Sequence, residues 1–172
     1  MYLDSITGQL VGVFIEWGVL MAFLFNLSTS INKVDKSPLI LSAIMALSYF
    51  VTDVIKLSDA PYLNWFLYDL ITILVISFWL LVKSVKLFTA SIYVIAGLLF
   101  NASFMLSMHF DIFILGNREP WLLWSVFSIG VNLLDLTMII AIASNKDFLL
   151  LKKFVKYSMS YSEKPEENLE LI

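Results

Sequence analysis

A chain of 172 residues that is 60% hydrophobic and 15% charged, with a mean hydropathy of +0.87, carries more apolar surface than a water-soluble fold of this size can hide. The net charge of −3 says little about partners, because lysines and acids are segregated along the chain. With no cysteine, disulfides, thiolate metal ligands and thiol nucleophiles are excluded.

The opening stretch, Met1 to Leu10, has no Lys or Arg and carries Asp4. It lacks the basic region of a signal peptide, so the first apolar run is expected to be retained. A membrane span needs about 20 mostly apolar residues. Five stretches qualify, at 9–28, 38–55, 62–82, 87–108 and 121–143. Lipid offers no partner to unpaired backbone groups, so all five should be helices, and short connections make neighbours antiparallel. The expected fold is an all-α integral membrane protein of five transmembrane helices.

Basic residues set its direction. Lys33 and Lys36, Lys83 and Lys86, and the tail residues Lys146, Lys152, Lys153, Lys156 and Lys164 all fall on one side, leaving Lys56 and Arg118 on the other. The positive-inside rule then predicts the N-terminus outside and the C-terminus cytoplasmic. Tyr62, Trp65, Trp121 and Trp124 gather where spans three and five enter from outside, as an interfacial aromatic belt does. Two hairpins also look alike. Asp53, Pro61 and Asp69-Leu70 in the first match Asp111, Pro120 and Asp135-Leu136 in the second, the pattern of a parallel repeat.

Residues 1–145 form the expected membrane domain and 146–172 a cytoplasmic tail. Within the tail, 147–158 has the pattern of a short amphipathic helix. Lys152, Lys153 and Lys156 share one side, opposite Leu150, Leu151, Phe154 and Val155. These lysines are candidate contacts for a partner or for lipid, each contributing about 1 kcal/mol beside an anionic surface. The acidic end, 162–172, contains Pro165 and is expected to be flexible by itself.

Polar residues inside the spans are the candidate functional residues. Glu16, Asp69 and Asp135 lie well within apolar runs, Asp53 lies near a span end, and Asn26, Asn64, Asn101 and Asn132 add amides. A mid-span Asp costs about 2.5–3.5 kcal/mol on insertion, and no base sits at matching depth. Each acid must therefore be protonated, bind a cation or accept several hydrogen bonds. Counted inward from the outer span ends, Glu16, Asp69 and Asn101 lie roughly 10 Å deep and Asp135 roughly 20 Å. Asn132 sits one turn outward on the Asp135 face. The expectation is an outer polar layer plus an inner site, built from Glu16, Asp69, Asn101, Asn132 and Asp135.

A plainer alternative is packing. Thr72, Thr137, Tyr68, Tyr93 and Trp17 are possible donors to the buried acids, and Asn132 is a natural helix–helix contact. Gly18 with Ala22, and Ser42 with Ala46, are small-residue pairs that allow close helix approach. His109, the one histidine, falls at the outer end of span four.

The sequence has no phosphate-binding loop, zinc-type histidine pair or nucleophile elbow. No catalytic, metal or cofactor site is expected, and the chain reads as a non-enzyme. Tyr68-Asp69 matches half of the intramembrane aspartyl protease signature, but Asp135 follows Asn132-Leu133-Leu134 instead of Gly-x-Gly. Nucleic acid is not an expected partner, because the lysines hug one membrane face. The leading expectation is a non-catalytic subunit of the bacterial inner membrane. It would form homo-oligomers in the bilayer and dock a cytosolic or membrane partner through its tail, as in a sensing or defence assembly. The alternative is an oligomeric cation or proton channel, or a small transporter, lined by the intramembrane carboxylates.

Overall fold

A computed structural model describes residues 5–162, and among them every regular element is helical. In chain order these are α1 (Ser5–Ser30), α2 (Ser37–Val54), α3 (Pro61–Val82), α4 (Thr89–His109), α5 (Leu122–Ser144) and α6 (Leu151–Ser162). The first five are long and apolar enough to cross a membrane. Asp4, Lys164 and the acidic segment beyond residue 162 lie outside the described residues.

Local sequence accounts for the helix ends. Pro61 is the first residue of α3, where its missing N–H costs nothing. The Ser37 N–H that opens α2 donates to Asp35 Oδ1 at 2.9 Å. Contact with Ser37 holds the Asp35 carboxyl below the usual carboxylate range. Asn145 ends α5 in the left-handed region (φ 51°), and its side-chain oxygen accepts the Ala90 N–H at 3.0 Å. One residue thus closes α5 and satisfies an orphan donor in the first turn of α4.

The fourth span departs from expectation. It does not stop near residue 108 but runs through a π-helical turn, Phe110–Ile114, so that the apolar helical stretch is Thr89–Ile114. The polar His109 and Asp111 hide this continuation in the sequence. The helix keeps Asp111 because its carboxyl is buried against three donors. Trp121 Nε1 donates at 3.0 Å, Trp124 Nε1 at 2.9 Å, and Asn117 Nδ2 at 3.2 Å. Two tryptophans of the expected interfacial belt therefore also fasten the α4–α5 loop.

The five long helices close a ring in chain order. Each packs on its sequence neighbour, α5 returns to α1, and α2 touches α5 across the interior. Loops 31–36, 83–88 and 145–150 share one end, called here the lysine end; loops 55–60 and 115–121 share the tryptophan end. Val19, Leu41, Met45, Ile76, Val94 and Met138 fill the lysine-end half of the core. Outside, Phe14, Phe25, Leu74, Phe78 and Leu133 are exposed. With lipid around such a bundle, packing and interhelical polar contacts hold it together more than water exclusion does.

Small residues set the closest approaches. A Cβ on Gly97 would meet Met138 Sδ at 2.5 Å, and one on Gly18 would meet Ile139 Cδ1 at 2.9 Å. Ala22, Ser42 and Ala46 are buried within the same chain. Both small-residue pairs thus serve packing inside the bundle.

Candidate functional site

The interior polar residues converge on Asp135. This carboxyl is 8% exposed and accepts a 2.6 Å hydrogen bond from Asn101 Nδ2, joining α5 to α4. The Tyr49 hydroxyl of α2 lies within hydrogen-bonding reach of the same carboxyl. Asp69 on α3 is near enough to interact electrostatically with both Asp135 and Tyr49. On α1, Glu16 faces Asp53, and with Tyr49 they line a seam between α1 and α2 too tight to admit water. Tyr49 is the link, its ring packed against the core and its hydroxyl turned toward Asp135.

The two-layer expectation changes at Asn101. Asn101 was expected near the level of Glu16 and Asp69, yet it touches Asp135. The extension of α4 to Ile114 explains the shift: from Ile114 to Asn101, and from Leu122 to Asp135, the depths are both roughly 20 Å. Measured from the lysine end, Asp135, Tyr49, Asn101, Asp69 and Glu16 all fall roughly 14–21 Å in. They form one polar band.

The other polar residues have separate tasks. Asn132 is half-buried and donates to Ser128 O on its own helix at 2.5 Å. Asn26 Nδ2 ties α1 to Ile142 O of α5 at 3.1 Å. Asn64 Oδ1 accepts Leu57 N–H at 2.7 Å and organises the α2–α3 loop. Three of the donors expected for the acids are engaged elsewhere, and a fourth faces outward. Thr72 pairs with Ser48 at 2.5 Å, Tyr68 donates to Ile55 O at 2.9 Å, Tyr93 donates to Asp147 at 2.9 Å, and Trp17 is exposed. His109 stacks on Phe113 with ring centroids 5.1 Å apart. Tyr49 was missed in the sequence because an aromatic in an apolar run has the pattern of core.

Chemically, the band offers carboxyl, phenol and amide oxygens with no lysine or arginine among the residues that meet there. Asn101 Oδ1 is buried and has no hydrogen-bond partner among the described residues. Such a set is hard and oxygen-rich, suited to protons or alkali and alkaline-earth cations. No trio of His, Cys, Asp or Glu close enough to hold a metal ion by themselves occurs among the described residues. Any cation would therefore need the neutral oxygens as well.

At the lysine end, Lys152, Lys153 and Lys156 are exposed on α6. The helix starts at Leu151, after a turn in which Leu150 takes φ 58°. Asp147 accepts the N–H groups of Lys152 at 3.2 Å and Lys153 at 3.3 Å, and the Tyr93 hydroxyl also donates to it. Leu149 N–H in turn donates to the Tyr93 hydroxyl at 2.6 Å. Although partial burial raises its pKa, these donors hold the Asp147 carboxyl below the usual range. No family model, curated protein or solved structure matches the chain.

Proposed function

We propose that this chain is a small membrane channel or transporter for protons or cations, with Asp135 as its central binding group. The observation that carries the reading is the meeting of Asp135, Asn101 and Tyr49 from three helices, with Asp69 beside them and no base to neutralise the acids. Intramembrane carboxyls are costly and typically mark ion or proton pathways. Glu16 and Asp53 extend the acids toward the tryptophan end. The seam beside them is closed, so passage requires a motion of α1 against α2 or an opening between copies in a homo-oligomer. Lysine placement supports a C-terminus in the cytoplasm.

Ion flux into proteoliposomes tests this. Wild-type protein should dissipate an imposed proton or monovalent-cation gradient, and Asp135→Asn should abolish that flux without preventing insertion. Flux that survives Asp69→Asn with Asp135→Asn would remove the proposed path.

A second reading has its own support: α6 leaves Phe154 and Tyr157 exposed beside the lysines. In that reading the chain is a non-catalytic subunit that docks a partner through its tail. Purification in mild detergent, with and without residues 159–172, tests it. A partner enriched only with the complete tail supports docking, and identical samples count against it.

A further inference from the structure

Away from the polar band, a groove of about 240 Å³ lies over the close contact of α4 with α5, with Gly97 and Met138 in its lining. Ala96 and Phe100 form one wall, Leu133 and Leu134 the other, and Leu149 and Leu151 close it at the lysine end. At the same lysine end Tyr93 is buried, its ring packs on Phe148 at 4.9 Å, and its hydroxyl is occupied by Asp147 and Leu149. The tyrosine thus offers the groove mainly an apolar face. Lys152 and Lys153 follow directly on Leu151 and are exposed. The hydrogen bonds of their backbone N–H groups to Asp147 hold them at that end.

An apolar slot at membrane depth, with cations held at its end, matches one lipid chemistry. We infer that the α4–α5 groove binds an acyl chain of an anionic phospholipid whose phosphate is held by Lys152 and Lys153. The volume lies below the roughly 300–1,000 Å³ of ordinary small-molecule pockets and suits a narrow alkyl chain. The charge sign selects among lipids: four lysines, Lys146, Lys152, Lys153 and Lys156, stand against Asp147 in this segment. The groove shares no lining residue with the carboxyl band.

Lipid retention on the full-length protein decides the matter. Protein reconstituted in nanodiscs of equal phosphatidylglycerol and phosphatidylcholine is extracted in mild detergent, and co-purifying lipid is measured. Wild type should enrich phosphatidylglycerol by about fivefold for each lysine engaged. Lys152→Gln with Lys153→Gln should erase the preference while some lipid of both kinds is kept. Ala96→Trp, which fills the groove, should lose both lipids, and Thr137→Phe provides an independent filling variant. Thermal melts identify variants that fail to fold. Equal retention of the two lipids by wild type overturns the inference with no variant needed. So does phosphatidylglycerol enrichment that persists in folded groove-filled protein. If Ala96→Trp leaves lipid unchanged but turns a dimer into a monomer, the groove is a contact between copies and the lipid site is refuted.

Discussion

The Asn101 amide donates to the Asp135 carboxyl over 2.6 Å, joining α4 to α5 where both side chains are buried. Removing the donor leaves the buried acid with Tyr49 alone, whereas removing both side chains takes the acid away as well. Asn101→Leu should cost about 1–3 kcal/mol, the penalty of an unsatisfied buried group. Asp135→Leu should insert at least as well as wild type, because leucine removes the insertion cost of the acid. The double variant should be more stable than additivity predicts, by about 0.6–1.7 kcal/mol. Reversible unfolding in bicelles measures the cycle. Strict additivity would show that the two residues do not stabilise one another.

Asp111 plays a comparable part at the tryptophan end, where it accepts from both Trp121 and Trp124. Each indole N–H is a hydrogen bond that phenylalanine cannot make, so Trp121→Phe and Trp124→Phe separate the bond from the aromatic bulk. Either variant should speed hydrogen exchange in the 115–121 loop while leaving α1 and α2 unchanged. Asp111→Ala should exceed either single change, because it removes both indole partners together. A loop that exchanges at the wild-type rate in all three variants would mean that it is held by other contacts.

How much of this was legible beforehand depended on the signal. Apolar runs located five long helices, since lipid-facing surfaces need length and hydropathy more than a particular residue order. Depth was misjudged at α4, where His109 and Asp111 looked like the start of a loop. The π turn buries Asp111 against indoles supplied ten and thirteen residues later, a long-range pairing that helical periodicity does not encode. That error separated Asn101 from Asp135. Tyr49 stayed hidden for another reason: which face of α2 looks inward is set by its packing between α1 and α3, and a tyrosine in an apolar run has the pattern of core.

The Asp147 carboxyl gives the α6 junction a defined pH response. Its pKa is lowered in the folded chain: partial burial raises it, but the Lys152 and Lys153 N–H groups and the Tyr93 hydroxyl outweigh that. A depressed acid contributes stability above its unfolded value of about 3.9 and loses it as pH falls through the lower folded value. The first-turn amides of α6 should therefore stay protected at neutral pH and lose protection only in strong acid. Asp147→Asn should weaken protection at neutral pH and flatten the response. Amide exchange at Lys152 and Lys153, corrected for intrinsic rates, reads both effects. An unchanged wild-type profile into strong acid would remove Asp147 as the fastener.

Close approach of α4 to α5 depends on Gly97, because an added Cβ would lie 2.5 Å from Met138 Sδ and 2.6 Å from its Cγ. Those atoms belong to a flexible side chain that is 1% exposed but borders the α4–α5 groove, so part of the clash can be relieved by a rotamer change. Overpacking of this kind costs typically about 1–3 kcal/mol. Gly97→Ala should lower stability by an amount near the bottom of that range, and Gly97→Val by more. Shortening the neighbour gives the cross-check: Met138→Ala alone leaves a cavity, yet combined with Gly97→Val it should be less damaging than the two separate losses added together. Equilibrium unfolding of the four proteins measures this. If Gly97→Val is tolerated without loss, the α4–α5 spacing is not set by this glycine.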